Sequence, residues 1–95
     1  MAKSPARKLD RIRSGIDDVD DGILRLLARR RALVIELAKV KKDLSLPIYD
    51  RKRERVLMDR VKARGRKLKL DEEFIEVLFR LIAMNSKEVQ YHEVF

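Results

Sequence analysis

Residues 9–44 read LDRIRSGIDDVDDGILRLLARRRALVIELAKVKKDL, and their spacing decides the architecture. Steps of three and four from Leu9 meet Ile12, Ile16, Val19, Ile23, Leu26, Arg30, Leu33, Leu37, Val40 and Leu44, so one position in the row, Arg30, is polar. A heptad sustained over that length predicts one continuous helix from about Ala6 to Asp43, with a coiled-coil-like seam. Gly15 and Gly22 each cost about 1 kcal/mol relative to Ala and do not interrupt it.

Downstream, Pro47 ends this helix, because it lacks an amide hydrogen and disfavours helical backbone at Leu46. Asp50 reads as the N-cap of a second helix that runs to about Arg64 and buries Leu57, Met58 and Val61. Gly65 suits the left-handed position beyond it. Asp71 reads as the next N-cap, with Glu72 and Glu73 favourable in the first turn and Leu70 placed to staple onto Ile75. The third helix is expected to reach about Tyr91. Met58 and Met84 read as core fillers, His92 as a surface residue, and Met1 to Pro5 as lacking fixed structure.

The fold class is therefore all-α, with three helices in one domain spanning residues 1–95. A first helix of about 37 residues is ~55 Å long, against ~32 Å for the diameter of a compact globule of this chain length. The two shorter helices cannot cover the whole seam. An intertwined homodimer with the long helices antiparallel is expected.

Composition narrows the function classes. The chain has no cysteine and no tryptophan, three glycines and two prolines, with 42% charged and 45% hydrophobic residues. That excludes a disulfide scaffold and a thiolate metal site, and it leaves few turns for a many-stranded sheet. No apolar run approaches the roughly 20 residues that span a bilayer, and the first residues lack the apolar core of a signal peptide, so a cytoplasmic location is expected. The net charge is +8, and the stretch Arg51–Lys69, with ten basic residues against Glu54 and Asp59, accounts for all of it. Such clustering admits a nucleic-acid partner, a small anionic partner, or a solvated face with no partner.

Polar residues in apolar rows point to a site. Arg30 stands deep in the seam, where it either sets register, snorkels to water, or binds something. Lys41 lies eleven residues on, a rotation of about 20° and a rise of about 16 Å, so both long cations lie on one face and can converge on a small anion. On the third helix the stripe Ile75, Phe79, Ile82 continues into Ser86 and Gln90, which reads as a polar pocket or as a helix end emerging into water. Glu54 extends the apolar row of the second helix backwards, beside Arg53 and one turn from Asp50; exposed ion pairing is its ordinary explanation. Arg13 is about 26 Å and 100° from Arg30 along one helix, too far to share a small ligand. In an antiparallel dimer Arg13 would instead enter the partner's site, giving two composite sites.

This ordered set resembles the all-helical class of chorismate mutases: Arg13 and Asp20, Arg30 and Lys41, Asp50-Arg51-Lys52-Arg53-Glu54 after Pro47, then Ser86 and Gln90. The likeness covers about Leu9 to Gln90. It implies intertwined dimers of three-helix chains that convert chorismate to prephenate in aromatic amino-acid biosynthesis, with no cofactor, no metal, no nucleic-acid partner and no membrane association. It implies, too, that Arg30 and the partner subunit's Arg13 bind the substrate carboxylates. Lys41 and Gln90 would hydrogen-bond the ether oxygen, Glu54 would accept the ring hydroxyl near Asp50, and Arg53 and Ser86 would support the pocket. Tyr49 departs from the basic residue some relatives carry there, which alters the rim.

The residue types suit such chemistry. A unimolecular pericyclic step requires no nucleophile; it requires a flexible dianion held in its reactive shape and stabilisation of charge growing on one oxygen. Arginine forks match carboxylates, lysine supplies a point charge, and an amide donates without being protonated first. Three alternatives stay open. An isochorismate pyruvate lyase would share the scaffold and the cationic pocket, and a basic helical dimer binding nucleic acid would explain the Arg51–Lys69 charge but not the polar residues in apolar rows. A purely structural coiled-coil dimer would tolerate Arg30→Leu or be stabilised by it.

Overall fold

The computed structural model describes residues 4–94. Three helices follow one another: α1 (Pro5–Asp43), α2 (Arg51–Lys67) and α3 (Glu72–Val94), and the described residues contain no strand. Among them no helix is long and apolar enough to cross a membrane. The chain divides into two compact units between Ala32 and Leu33.

The first unit is helical throughout. Ser4 caps it, its Oγ accepting the Arg7 N–H at 3.3 Å, and Pro5 occupies the first helical position, where its missing amide hydrogen is not needed. Ser4 and Pro5 therefore belong to an ordered helix start, contrary to the expectation for Met1 to Pro5; Met1, Ala2 and Lys3 lie outside the described residues. No described residue of this unit is buried. The seam residues Ile12, Ile16, Val19, Ile23 and Leu26 are 49–65% exposed, so this unit by itself leaves the apolar row open.

The second unit begins with the last turns of α1, where Val34 and Ala38, one turn apart, are buried. Helix α1 closes in a Schellman motif: Leu46 N–H donates to the Lys41 carbonyl at 2.8 Å and Ser45 N–H to the Lys42 carbonyl at 3.1 Å, with Ser45 at φ 56. Pro47 follows and prevents the helix from resuming. Asp50 then caps α2, its Oδ1 accepting the Arg53 N–H at 2.9 Å.

Helices α2 and α3 pack together, with Val61, Gly65 and Ile75 buried between them. Gly65 does not take the predicted left-handed position; it lies inside α2, which continues to Lys67. Its value is closeness: a Cβ there would stand 3.1 Å from Ile75 Cγ1. Lys69 takes the left-handed position instead, at φ 59, while Leu70 N–H donates to the Gly65 carbonyl at 2.9 Å and Lys69 N–H to the Arg66 carbonyl at 3.1 Å. A side chain with a Cβ is disfavoured at that φ, so Lys69→Gly is expected to stabilise the fold by ~1 kcal/mol, read as a higher urea midpoint.

Asp71 accepts the Glu73 N–H at 3.0 Å and starts α3, which runs three residues past its expected end. Ion pairs tie the hairpin across its outside: Lys62 to Glu76 at 3.3 Å, Arg66 to Glu72 at 3.0 Å, and Arg80 to Glu76 at 2.6 Å along α3. Arg80 first, and then Lys62, hold the Glu76 carboxyl below its ordinary value. Leu57 and Met58 are half-buried rather than buried, and Met84, expected in the core, is exposed. All three residues line a hollow of about 380 Å³ between α2 and α3 that the described residues leave open. His92 is exposed, as expected.

Candidate active site

The stripe on α3 places polar groups in the interior. Ile75 is buried, Phe79 and Ile82 are half-buried, and Ser86 and Gln90, four and eight residues beyond Ile82, are the only buried polar residues among those described. Each is satisfied. Ser86 Oγ donates to the Ile82 carbonyl at 2.8 Å, Gln90 Nε2 to the Ser86 carbonyl at 3.3 Å, and Gln90 Oε1 accepts from Lys41 Nζ at 3.0 Å. Lys41 is half-buried at the end of α1 and also donates to the Ile48 carbonyl at 2.8 Å. The Schellman turn makes that contact possible, because it folds Ile48 back toward the Lys41 side chain.

Counting donors shows what this arrangement holds in reserve. A lysine ammonium has three and Lys41 uses two; a glutamine amide nitrogen has two and Gln90 uses one. In the hydrogen bonds among the described residues one N–H of each is unused, on side chains that the Lys41–Gln90 bond ties together. Two donors tied in this way suit a single acceptor atom that gains negative charge.

A second cluster adjoins the first through Ile48–Tyr49 and Ser86–Lys87. Glu54, in the first turn of α2, has its Oε1 3.1 Å from Lys87 Nζ, and both side chains are about one-third exposed. The same ammonium lies 4.8 Å from the centroid of the Tyr49 ring. The exposed ion pairing expected around Glu54 is thus a partly enclosed pair, and its partner is on α3 rather than on α2. Asp50 and Arg53 are exposed at the start of α2, where the Asp50 carboxylate is engaged in capping.

The structure therefore brings together Lys41, Ser86 and Gln90 directly, with Glu54, Asp50 and Arg53 in the same unit. Arg13 and Arg30 belong to the other unit; Arg13 is exposed and Arg30 half-buried. The hollow of about 380 Å³ reaches Glu54 and Lys87 but not Lys41 or Gln90, so it meets the site only at its acidic corner. Among the described residues no three His, Cys, Asp or Glu side chains are grouped to hold a metal ion. Sequence reasoning missed two participants, the Ile48 carbonyl and Lys87. Lys87 had one visible sign: it precedes Gln90 by three residues, which makes the two neighbours on the helix surface.

Three helices and no strand among the described residues, with a lysine and an amide hydrogen-bonded to each other in the interior, define the class as all-helical. The chorismate mutase type II family profile matches residues 12–91, and the chain belongs to that family. It is 34% identical over 83 residues to a chorismate mutase of Methanocaldococcus jannaschii, covering 87% of this chain and 84% of that one. It is 39% identical over 75 residues to the bifunctional chorismate mutase/prephenate dehydratase of Escherichia coli, covering 79% of this chain but 19% of that longer protein. A solved structure of a conserved hypothetical protein from Pyrococcus furiosus matches with a TM-score of 0.66 at 35% identity, covering 93% of this chain and 99% of that one.

Proposed function

We propose that the chain is a chorismate mutase, converting chorismate to prephenate by an intramolecular rearrangement in which the ether C–O bond breaks as a C–C bond forms. The observation that carries this reading is the Lys41–Gln90 pair, 3.0 Å apart and keeping one N–H each. Both spare donors serve the ether oxygen, on which charge builds as the bond lengthens; stabilisation of that kind is worth about 3 kcal/mol per donor. Family membership and the M. jannaschii relative's name support the same conclusion.

The remaining roles follow the chemistry of the substrate, a dianion with two carboxylates and a ring hydroxyl. Arg30 binds a carboxylate through its planar fork, and Arg13 of the partner subunit binds the other. Glu54 accepts a hydrogen bond from the ring hydroxyl, while Asp50, Arg53 and Ser86 shape the surroundings. The assembly is an intertwined homodimer with two composite sites. It is supported by the apolar seam of α1, whose residues Ile12, Ile16, Val19, Ile23 and Leu26 are 49–65% exposed.

Following the disappearance of chorismate with purified protein tests the proposal, and a folded protein that leaves chorismate unchanged overturns it. Isochorismate, assayed in parallel, separates the mutase from a pyruvate lyase on the same scaffold; cleavage of isochorismate alone would favour the lyase. Because Gln90 donates without titrating, kcat is expected to change little between about pH 6 and pH 8. A steep loss across that range would show that a protonated carboxyl or an imidazole performs the step instead.

A further inference from the structure

The geometry points to Lys87 as the positioning residue that sets the orientation of Glu54, with Tyr49 fixing Lys87 in turn. This rests on the mutase reading above. Glu54 is the acidic side chain of the site not engaged in helix capping, and it must serve a dianion. A free carboxylate there would swing through its rotamers and repel the substrate's own negative charges. Lys87 Nζ, 3.1 Å from Glu54 Oε1, removes both problems: it occupies one carboxylate oxygen, leaves Oε2 to accept the hydroxyl, and neutralises the local charge.

Tyr49 explains why Lys87 does this rather than reaching for the substrate. A lysine has four rotatable carbons and three donors, so an unrestrained Lys87 beside Gln90 would pair with any carboxylate that arrived. The Tyr49 ring lies 4.8 Å from the ammonium and holds it by the attraction between a cation and an aromatic face. The backbone supports both ends, since Tyr49 follows Ile48, whose carbonyl anchors Lys41, and Lys87 follows Ser86, whose carbonyl anchors Gln90. The clamp on Glu54 and the Lys41–Gln90 pair are therefore built on the same two segments. Lys87 acts through Glu54 and touches no reacting atom.

The test is a double-mutant cycle on chorismate turnover, with kcat and KM resolved and thermal melting recorded for each variant. Wild type and Glu54→Gln come first. Wild type must turn over chorismate and Glu54→Gln must lose activity; failure of either removes the reading on which the inference stands. Lys87→Met, which keeps the length and removes the charge, is then expected to lower kcat/KM about tenfold, mainly through KM, with melting nearly unchanged. In the Glu54→Gln background the same substitution is expected to cost little, because there is no carboxylate left to position. Lys87→Arg is expected to restore most of the loss, since a guanidinium can pair with Glu54 and stack on Tyr49. Tyr49→Leu should give a smaller loss that vanishes when Lys87 is already Met. Equal losses from Lys87→Met in both backgrounds would assign Lys87 a general charge effect and overturn the proposal. A wild-type-like Lys87→Met would overturn it too.

Discussion

Lys41→Met is expected to lower kcat/KM by about 10²–10³-fold while the chain still folds. Two losses coincide in this variant. On the proposed mechanism the breaking bond loses its ammonium donor, and Gln90 Oε1, on a residue only 4% exposed, loses the partner that held it at 3.0 Å. An orphaned buried acceptor costs about 1–3 kcal/mol, so the urea midpoint should fall as well. The Schellman turn should survive, because Lys41 contributes its main-chain carbonyl to that motif and the substitution leaves the carbonyl in place. Activity close to wild type, in a variant shown to be folded, would remove Lys41 from the reaction and leave it a purely structural link between the end of α1 and α3.

Arg30→Leu is expected to leave a folded protein whose activity is down by two to three orders of magnitude, about 3 kcal/mol of transition-state stabilisation. The same substitution discriminates between two explanations of one sequence feature. If Arg30 merely interrupts the seam, leucine completes the apolar row from Leu26 to Leu33 and gives a more stable protein with unchanged turnover. If Arg30 grips a substrate carboxylate, the loss appears mainly in KM and kcat/KM, and a small gain in stability can accompany it. Steady-state kinetics and thermal melting on the same preparation read both quantities. The half-buried position of Arg30, on a unit where its neighbours along α1 are almost all exposed, is what makes the outcome informative.

Much of this fold is legible in the sequence because long-period patterns are redundant. The heptad of α1 repeats often enough that two glycines and one arginine do not obscure it, and the helix boundaries fall within a residue of expectation at Pro5 and Asp43. The caps at Asp50 and Asp71 are equally readable, each being a short side chain placed before a helical period. Gly65 was misread because glycine has two uses that look identical in one sequence. It can adopt a left-handed backbone or admit a close neighbour, and only the packing of Ile75 decides between them. Lys69 was invisible for the complementary reason, since nothing about a lysine announces a left-handed φ.

The site follows the same division. Ser86 and Gln90 are readable because they break a stripe of buried apolar residues, and Lys41 because it shares a face with Arg30. The spacing of Lys87 to Gln90 is visible, but its pairing with Glu54 is not, since that depends on how α2 and α3 register against each other, with Val61, Gly65 and Ile75 buried between them. The Ile48 carbonyl belongs to a backbone turn and carries no side-chain signal.

The bare seam of α1 has a consequence for how the protein is governed. A helical stretch in which no described residue is buried gains little from its own chain, and helices stabilised by propensity alone are marginal in water. In the proposed homodimer its order comes from encounter with a second copy, so the assembled fraction obeys mass action and rises with protein concentration. Supply of the chain would then act as a dial on turnover per molecule as well as on total turnover. A strongly diluted sample should lose activity faster than in proportion to the dilution.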